Sequence, residues 1–150
     1  MDDREIVERQ LGRAPRAFRR VAVRCPFGRP AVTEQAPLDE NGRPFPTQYY
    51  VTCSYLVAAI SRVEAAGGVE RWTRAAEEDP ALAHSLEDAQ AQQRALRPEL
   101  ASGIGGSTRS GSLKCLHAHA AFALAQPGYE LGERILAELP SLWPDSCCTP

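Results

Sequence analysis

Residues 47–63, TQYYVTCSYLVAAISRV, change from a strand pattern to a helix pattern within a few positions. The first half alternates Tyr49, Val51 and Cys53 with polar residues, which is typical of a β-strand with one buried face. From Leu56 the apolar residues instead recur at the i, i+4, i+7 spacing of an amphipathic helix. The segment therefore predicts a strand that leads directly into a helix.

The flanking sequence extends this pattern in both directions. Two further short strands are predicted upstream, at 20–25 and 31–35, and the Gly/Pro-rich turns between strands favour an antiparallel meander. Downstream, helical spacing predicts a short helix around Trp72, a long one from Asp79-Pro80 to just before Pro98, and helices over 113–126 and 132–139. We expect an α+β fold, with a small three-stranded antiparallel sheet at the N-terminal side followed by four or five helices.

Residues 113–126, LKCLHAHAAFALAQ, form the most unusual stretch of the chain. Apolar residues lie on every side of the predicted helix, so we expect it to be central and buried. A chain of 150 residues is the length of one ordinary domain. We therefore predict a single domain over 1–150, with 1–18 and 144–150 peripheral or frayed.

Composition and charge bear on whether the chain binds nucleic acid. Hydrophobic residues make up 43% of the chain, charged residues 24%, and the net charge is −2. The first 30 residues carry eight arginines against four acidic residues, but the remainder of the chain is acidic. We therefore expect no nucleic-acid binding.

Three features of the sequence indicate the cellular compartment. The first ten residues lack the apolar core of a secretory signal, and the longest weakly polar runs, of about a dozen residues, are too short to span a bilayer. Five cysteines form an odd set without a CxxC pair, which disfavours a disulfide framework. The sequence predicts a cytoplasmic protein without a membrane segment, and its cysteines are free thiols or metal ligands.

Four of these Cys and His residues are candidate zinc ligands. Cys25 and Cys53 each close a predicted strand at the same edge of the sheet, while Cys115 and His119 are four positions apart on the predicted helix. The set would satisfy tetrahedral zinc. His117 is two positions from Cys115, about 200° around a helix, and is left out. The alternative is that the cysteines simply fill a core, as free cysteines often do.

A glycine-rich loop, ASGIGGSTRSGS at 101–112, precedes the same helix. Its free backbone N–H groups, with Arg109 and Lys114 nearby, predict an anion site formed by Gly105, Gly106, Arg109 and Lys114, for a phosphate or a carboxylate. The alternative is a flexible linker with Ser112 capping the helix. Cys115, beside Lys114 at the start of the predicted helix, is the only candidate nucleophile.

Two functional hypotheses follow from these patterns. In the first, the chain is a cytoplasmic protein whose Cys/His site, next to the anion-binding loop, takes zinc or a small phosphate-containing ligand. In the second, it is a non-catalytic adaptor or regulatory protein whose Ala-rich helices dock on a partner and whose cysteines are packing residues. A converging, partly accessible cluster would favour the first, and an exposed apolar helix face would favour the second.

Five blocks of this sequence are distinctive in combination: RCPFGRP (24–30), PFPTQYYVTCSYL (44–56), SRVEAAGG (61–68), GIGG (103–106) and LKCLHAHAAFAL (113–124). Together they resemble the bacterial domain-of-unknown-function family 501. The resemblance implies a cytoplasmic bacterial protein. The family has no established activity, so the resemblance implies no catalytic residue.

Overall fold

The computed structural model describes residues 1–109, 111 and 113–148. Its elements in chain order are α1 (Asp3–Leu11), β1 (Phe18–Arg24), β2 (Pro30–Gln35), β3 (Tyr49–Val51), α2 (Ser54–Ala65), α3 (Gly68–Glu78), α4 (Pro80–Leu96), a 3₁₀ turn (Ile104–Gly106), α5 (Leu116–Ala125) and α6 (Glu130–Ala137). The predicted α+β fold is confirmed: a three-stranded antiparallel sheet lies at the N-terminal side, and the remaining helices follow it.

The sheet has the order β1-β2-β3, with both pairs antiparallel. Val32 of β2 lies opposite Val23 on one side and Val51 on the other, so apolar side chains form a row across the three strands. Every residue of the central strand is buried. β2 is therefore covered on both faces. Because β1 and β3 both run antiparallel to β2, their C-terminal ends lie at the same edge of the sheet.

Local sequence explains where the main helices begin. Asp79 caps α4, because its side chain accepts a hydrogen bond from the Ala81 N–H at 3.0 Å and Pro80 occupies the first helical position. α2 begins directly after β3, with Cys53 at the N-cap position and no side-chain hydrogen bond there. Gly67, with a φ of 85°, allows the sharp passage from α2 to α3.

α5 is the central helix of the fold. Its buried residues are Leu116, Ala118, His119, Ala120, Ala121, Phe122 and Ala123. The helix packs on β3, α2 and α6, and the ring of Phe122 lies edge-on to Tyr49 and Tyr129 at 5.9 and 5.8 Å. Burial of a side chain of this size contributes about 2 to 3 kcal/mol. The predicted central, buried helix is confirmed.

The start of α5 differs from the prediction. The sequence pattern predicts a start at Leu113, but Lys114 has a left-handed φ of 62° and Cys115 is extended, so the helix begins at Leu116. The proposed cap Ser112 lies outside the described residues. Among the described residues, no helix has the length and apolar character needed to cross a membrane.

Candidate metal centre

A cavity of about 380 Å³ opens between β3, α2 and the N-terminal end of α5. The residues that line it are Thr47, Tyr49, Tyr50, Val51, Val57, Ser61, Gly105, Cys115, His117 and Ala118. Most of the wall is apolar or aromatic, and the thiol of Cys115 and the imidazole of His117 are its ionisable groups apart from the tyrosines. We call this space the Cys115 cavity.

Each ring nitrogen of His117 faces a different set of partners. Nε2 lies 3.2 Å from the carbonyl oxygen of Val57 and 3.1 Å from the hydroxyl of Ser61. A carbonyl can only accept, so Nε2 carries a proton and donates it. Nδ1 lies 3.2 Å from Oε1 of Glu64 and 3.8 Å from Sγ of Cys115. The α2 backbone thus orients the ring so that Nδ1 faces the thiol and the carboxylate.

These contacts favour the protonated form of His117. The hydrogen bond with Cys115 raises the pKa of the imidazole most, the Val57 carbonyl and the charge of Glu64 raise it further, and burial opposes them. The net result is a pKa of about 9. In the metal-free protein His117 is therefore a cation at neutral pH, held between the Glu64 carboxylate and the Cys115 sulfur.

Glu64 links this site to the helix that carries it. Its Oε2 accepts a hydrogen bond from the backbone N–H of Leu116 at 2.8 Å, while Oε1 faces His117. Cys115 occupies the N-cap position of α5 without capping it, so the carboxylate of α2 satisfies an N–H group at the start of α5 in its place. The same side chain therefore anchors α5 and places a negative charge beside Cys115.

Glu64, Cys115 and His117 each offer one donor atom, and the three atoms lie within 4.8 Å of one another. All three side chains are partly exposed. In a tetrahedral zinc site with ordinary bond lengths, nitrogen and oxygen ligands are about 3.4 Å apart, and sulfur and nitrogen ligands about 3.6 Å. The observed 3.2 Å and 3.8 Å are close to these separations, so the group could hold a metal ion with little movement.

The four ligands predicted from the sequence are not brought together in this way. Cys115 is part of the group above, but among the described donor side chains Cys25, Cys53 and His119 do not join it within 4.8 Å. The sulfur of Cys53 lies instead 3.6 Å from that of Cys148. Cys25, which follows β1, packs against the hydrophobic core.

His119 points into the interior on the other side of α5. Its Nε2 donates to the carbonyl oxygen of Leu113 at 2.8 Å, and its Nδ1 accepts from the hydroxyl of Tyr129 at 2.7 Å. Burial lowers the pKa of the imidazole to about 4, although the Leu113 carbonyl opposes this shift. Both nitrogens therefore have partners within the fold.

His117, which the sequence pattern excludes, is the histidine that lies beside Cys115, and the reason is the late start of α5. A helix that included Cys115 would turn by 100° per residue from that position, but Cys115 is extended, with φ −154° and ψ 126°, and precedes the first helical turn. Its side chain turns toward His117 instead of His119. Glu64 was not predicted from the sequence. Ser61 and Glu64 are three positions apart on α2, a spacing that places two polar side chains on one face of a largely apolar helix.

Two residues of the predicted anion site lie near this centre. Gly105 lines the Cys115 cavity, and a methyl group added at Gly106 would lie 3.8 Å from Nζ of Lys114 and 2.8 Å from Cβ of Pro46. Both glycines have positive φ, 68° and 78°. The glycines therefore allow the loop to approach its neighbours closely.

Much of the loop backbone is engaged inside the molecule. Gly103 N–H donates to the carbonyl of Ser107 at 2.8 Å, Ile104 N–H to the side chain of Gln90 at 2.6 Å, and Gly106 N–H to the carbonyl of Gly103 at 3.0 Å. Arg109 lines a second, larger cavity of about 620 Å³, between α3, α4 and the loop. The described residues around that cavity include no cysteine or histidine.

The large apolar side chains exposed in the described part of the chain are Met1, Phe27, Leu38 and Leu96. They lie at the chain start, in two connections between strands and at the end of α4. They do not form one helix face of the kind that the adaptor hypothesis requires.

Comparison with known proteins gives one match. A family model described as "Protein of unknown function (DUF501)" matches residues 21–103. The chain belongs to this DUF501 family. The matched region includes β1 from Val21 onward, β2, β3 and the helices α2, which carries Glu64, to α4, and it ends before Cys115. No curated protein and no solved structure matches the chain.

Proposed function

We propose that this DUF501 protein binds one zinc ion through Glu64, Cys115 and His117, with a fourth coordination position that faces the Cys115 cavity. The observation that supports this most directly is the convergence of the three donor atoms within 4.8 Å. The hydrogen bond from His117 Nε2 to the Val57 carbonyl adds further support, because metal-bound histidines commonly donate their second ring N–H to a carbonyl or carboxylate.

The donor set favours zinc over the hard divalent cations. Thiolate and imidazole are ligands that zinc accepts, whereas magnesium and calcium prefer sites built from oxygen. Three protein ligands are also the usual number in zinc sites that keep a position for water or substrate, whereas structural sites use four. We therefore propose a site that binds a further ligand at the metal.

That ligand, in our proposal, is a small anion carrying a phosphate or carboxylate group. Its negative group would bind the zinc ion, and the exposed ammonium of Lys114, beside Gly106, would add a positive charge at the loop. Arg109 lines the other cavity and has no part in this site. A cytoplasmic setting fits, since reduced thiols bind metal there and no disulfide joins any of the five cysteines, all of which lie in the described part of the chain.

A second candidate function uses the same cysteine without a metal. The 3.8 Å contact between Cys115 Sγ and His117 Nδ1 is the thiol–imidazole pairing found at nucleophilic cysteines. In that case iodoacetamide would modify Cys115 rapidly and zinc would offer no protection. The zinc proposal instead predicts that one equivalent of zinc blocks the modification of Cys115.

The direct test is a calorimetric titration of chelator-treated protein with zinc. We expect one site per chain in the wild-type protein and a loss of affinity of at least about a hundredfold in Cys115→Ser, because a thiolate ligand is removed. Cys25→Ser is the matched control, since Cys25 is also a partly buried free thiol but lies outside the group. Equal binding by all three proteins, or no binding by the wild type, would contradict the proposal.

A further inference from the structure

A second pair of thiols lies at the N-terminal end of α2, apart from the three donor residues described above. Cys53 is the N-cap residue of that helix and is 3% exposed, whereas Cys148, in the C-terminal segment, is exposed. Their sulfur atoms are 3.6 Å apart although the residues are 95 positions apart in sequence. A bond of about 2.0 Å between them requires a shift of about 1.6 Å, within the reach of side-chain rotation and a small movement of the tail.

The tail is also held in place by contacts that do not involve sulfur. The hydroxyl of Tyr55, in the first turn of α2, donates to the carbonyl oxygen of Ser141 at 3.1 Å and also contacts the Ser141 hydroxyl. Earlier in the same segment, the carboxylate of Glu138 accepts hydrogen bonds from Arg71 and Trp72 of α3. The approach of Cys148 to Cys53 therefore follows from a docked segment.

The two thiols occupy different environments. Burial raises the pKa of Cys53 to about 11. Partial burial also raises the pKa of Cys148, but hydrogen bonds from the Ser54 hydroxyl, the Tyr55 backbone N–H and the Cys53 thiol outweigh it, and the pKa lies below its usual value. The Tyr55 N–H is one of the free N–H groups at the start of a helix, which stabilise a negative charge. An accessible thiol that ionises more readily than an ordinary cysteine thus lies against a buried thiol.

We infer that Cys148 and Cys53 form a reversible dithiol–disulfide pair that reacts with hydroperoxides, with Cys148 as the attacking sulfur and Cys53 as the resolving sulfur. This site is independent of the proposed zinc centre. The pair gives the protein a reaction with an oxidant, and Glu64, Cys115 and His117 take no part in that reaction.

The reaction balances in two steps. The Cys148 thiolate attacks one oxygen of the hydroperoxide, the S–O bond forms as the O–O bond breaks, and the departing alkoxide takes up a proton as an alcohol, or as water for hydrogen peroxide. The Cys53 sulfur then attacks the sulfur of the Cys148 sulfenic acid. The S–S bond forms, the S–O bond breaks, and hydroxide leaves with the Cys53 proton as water. Two thiols are oxidised and one hydroperoxide is reduced.

The sequence provides matched controls for this reaction. Tryptic digestion leaves Cys25 and Cys53 on one peptide and Cys147 and Cys148 on another, because the Arg-Pro bonds at 29–30 and 43–44 resist cleavage. Each reactive cysteine therefore has a control cysteine on its own peptide. Cys53→Ser should fold, because serine is a preferred residue at a helix N-cap.

The experiment treats the full-length protein with one equivalent of hydrogen peroxide, alkylates the remaining thiols and maps the peptides by mass spectrometry. We expect the two peptides to be disulfide-linked in the wild type, in Cys25→Ser and in Cys147→Ser, and the link to be lost completely in Cys53→Ser and Cys148→Ser. In Cys53→Ser the unresolved sulfenic acid should accumulate on Cys148 and be labelled by dimedone.

Three results would overturn the inference. One is a wild-type protein whose peptides remain unlinked after peroxide treatment. Another is a link that survives Cys148→Ser but not Cys147→Ser, which would assign the reaction to the neighbouring cysteine. The third is dimedone labelling in Cys53→Ser that falls on a residue other than Cys148. Circular dichroism of each variant shows whether the helices are retained before peroxide is added.

Discussion

His117 and His119 are two positions apart on α5, yet they differ in nearly every chemical property. His117 faces a partly open cavity, has the negative charge of Glu64 beside it, and has a pKa raised to about 9. His119 is fully buried, has neutral partners on both nitrogens, and has a pKa lowered to about 4. One helix therefore presents a charged imidazole to the cavity and a neutral one to the core. The surroundings, and not the residue type, decide which histidine can take part in chemistry.

The largest expected difference between the two histidines is the effect of His119 on the free energy of unfolding at acid pH. The unfolded chain binds a proton at His119 below pH 6.5, whereas the folded chain binds it only near pH 4. The free energy of unfolding should therefore fall as pH drops from 6.5 to 4, with about 3 kcal/mol of the loss due to this one residue. His119→Gln keeps a donor for the Leu113 carbonyl and cannot be protonated, so urea unfolding at pH 7 and pH 4 should show a smaller loss. An unchanged loss in this variant would contradict the assignment.

At alkaline pH we expect His117 to have the opposite effect, so that the free energy of unfolding falls as the pH rises. The folded metal-free chain keeps the His117 proton up to about pH 9, while the unfolded chain releases it near pH 6.5. This stabilisation is therefore complete below pH 6.5 and is lost as pH rises to 9. Because the side chain is partly exposed, we expect about 1 to 2 kcal/mol.

Urea unfolding of chelator-treated protein between pH 6 and pH 9 measures this effect. His117→Gln should flatten the profile, and His84→Gln, which changes an exposed histidine on α4, should leave it unchanged. If His117→Gln has the same slope as the wild type, the ring is not held by the Glu64 and Cys115 contacts.

The smallest expected effect on stability concerns Glu64. Two substitutions separate its role in anchoring α5 from its role in binding zinc. Glu64→Ala removes the acceptor for the Leu116 N–H and should lower the free energy of unfolding of the metal-free protein by about 1 kcal/mol. Glu64→Gln keeps an acceptor oxygen, so it should retain most of that stability and still lose zinc affinity. Chemical denaturation and calorimetry on the same two variants measure both quantities. Equal stability of the two variants would show that Glu64 does not anchor α5.

Much of the fold was accessible from sequence because its signals are local. The alternation at 49–53, the Asp79-Pro80 start of α4 and the apolar character of α5 each depend on neighbouring residues, and the structure confirms the strands and helices that they predict. The predicted start of α5 failed because a lysine at 114 does not reveal a left-handed conformation.

The site depends on that detail and on distant contacts. Because α5 begins at Leu116 and not at Leu113, the histidine beside Cys115 is His117 and not the predicted His119. Glu64 is one of 19 acidic residues, and only the packing of α2 against α5 selects it. Cys148 meets Cys53 across 95 positions of sequence through a docked tail, and no periodic pattern reports such a contact.

The metal centre is tested most directly by a side-by-side zinc titration of His117→Gln and His119→Gln, after circular dichroism has shown that both variants are folded. We expect His119→Gln to bind one zinc ion per chain with an affinity within about tenfold of the wild type, and His117→Gln to lose at least about a hundredfold. If His119→Gln loses zinc while His117→Gln retains it, the metal centre assigned to Glu64, Cys115 and His117 is wrong.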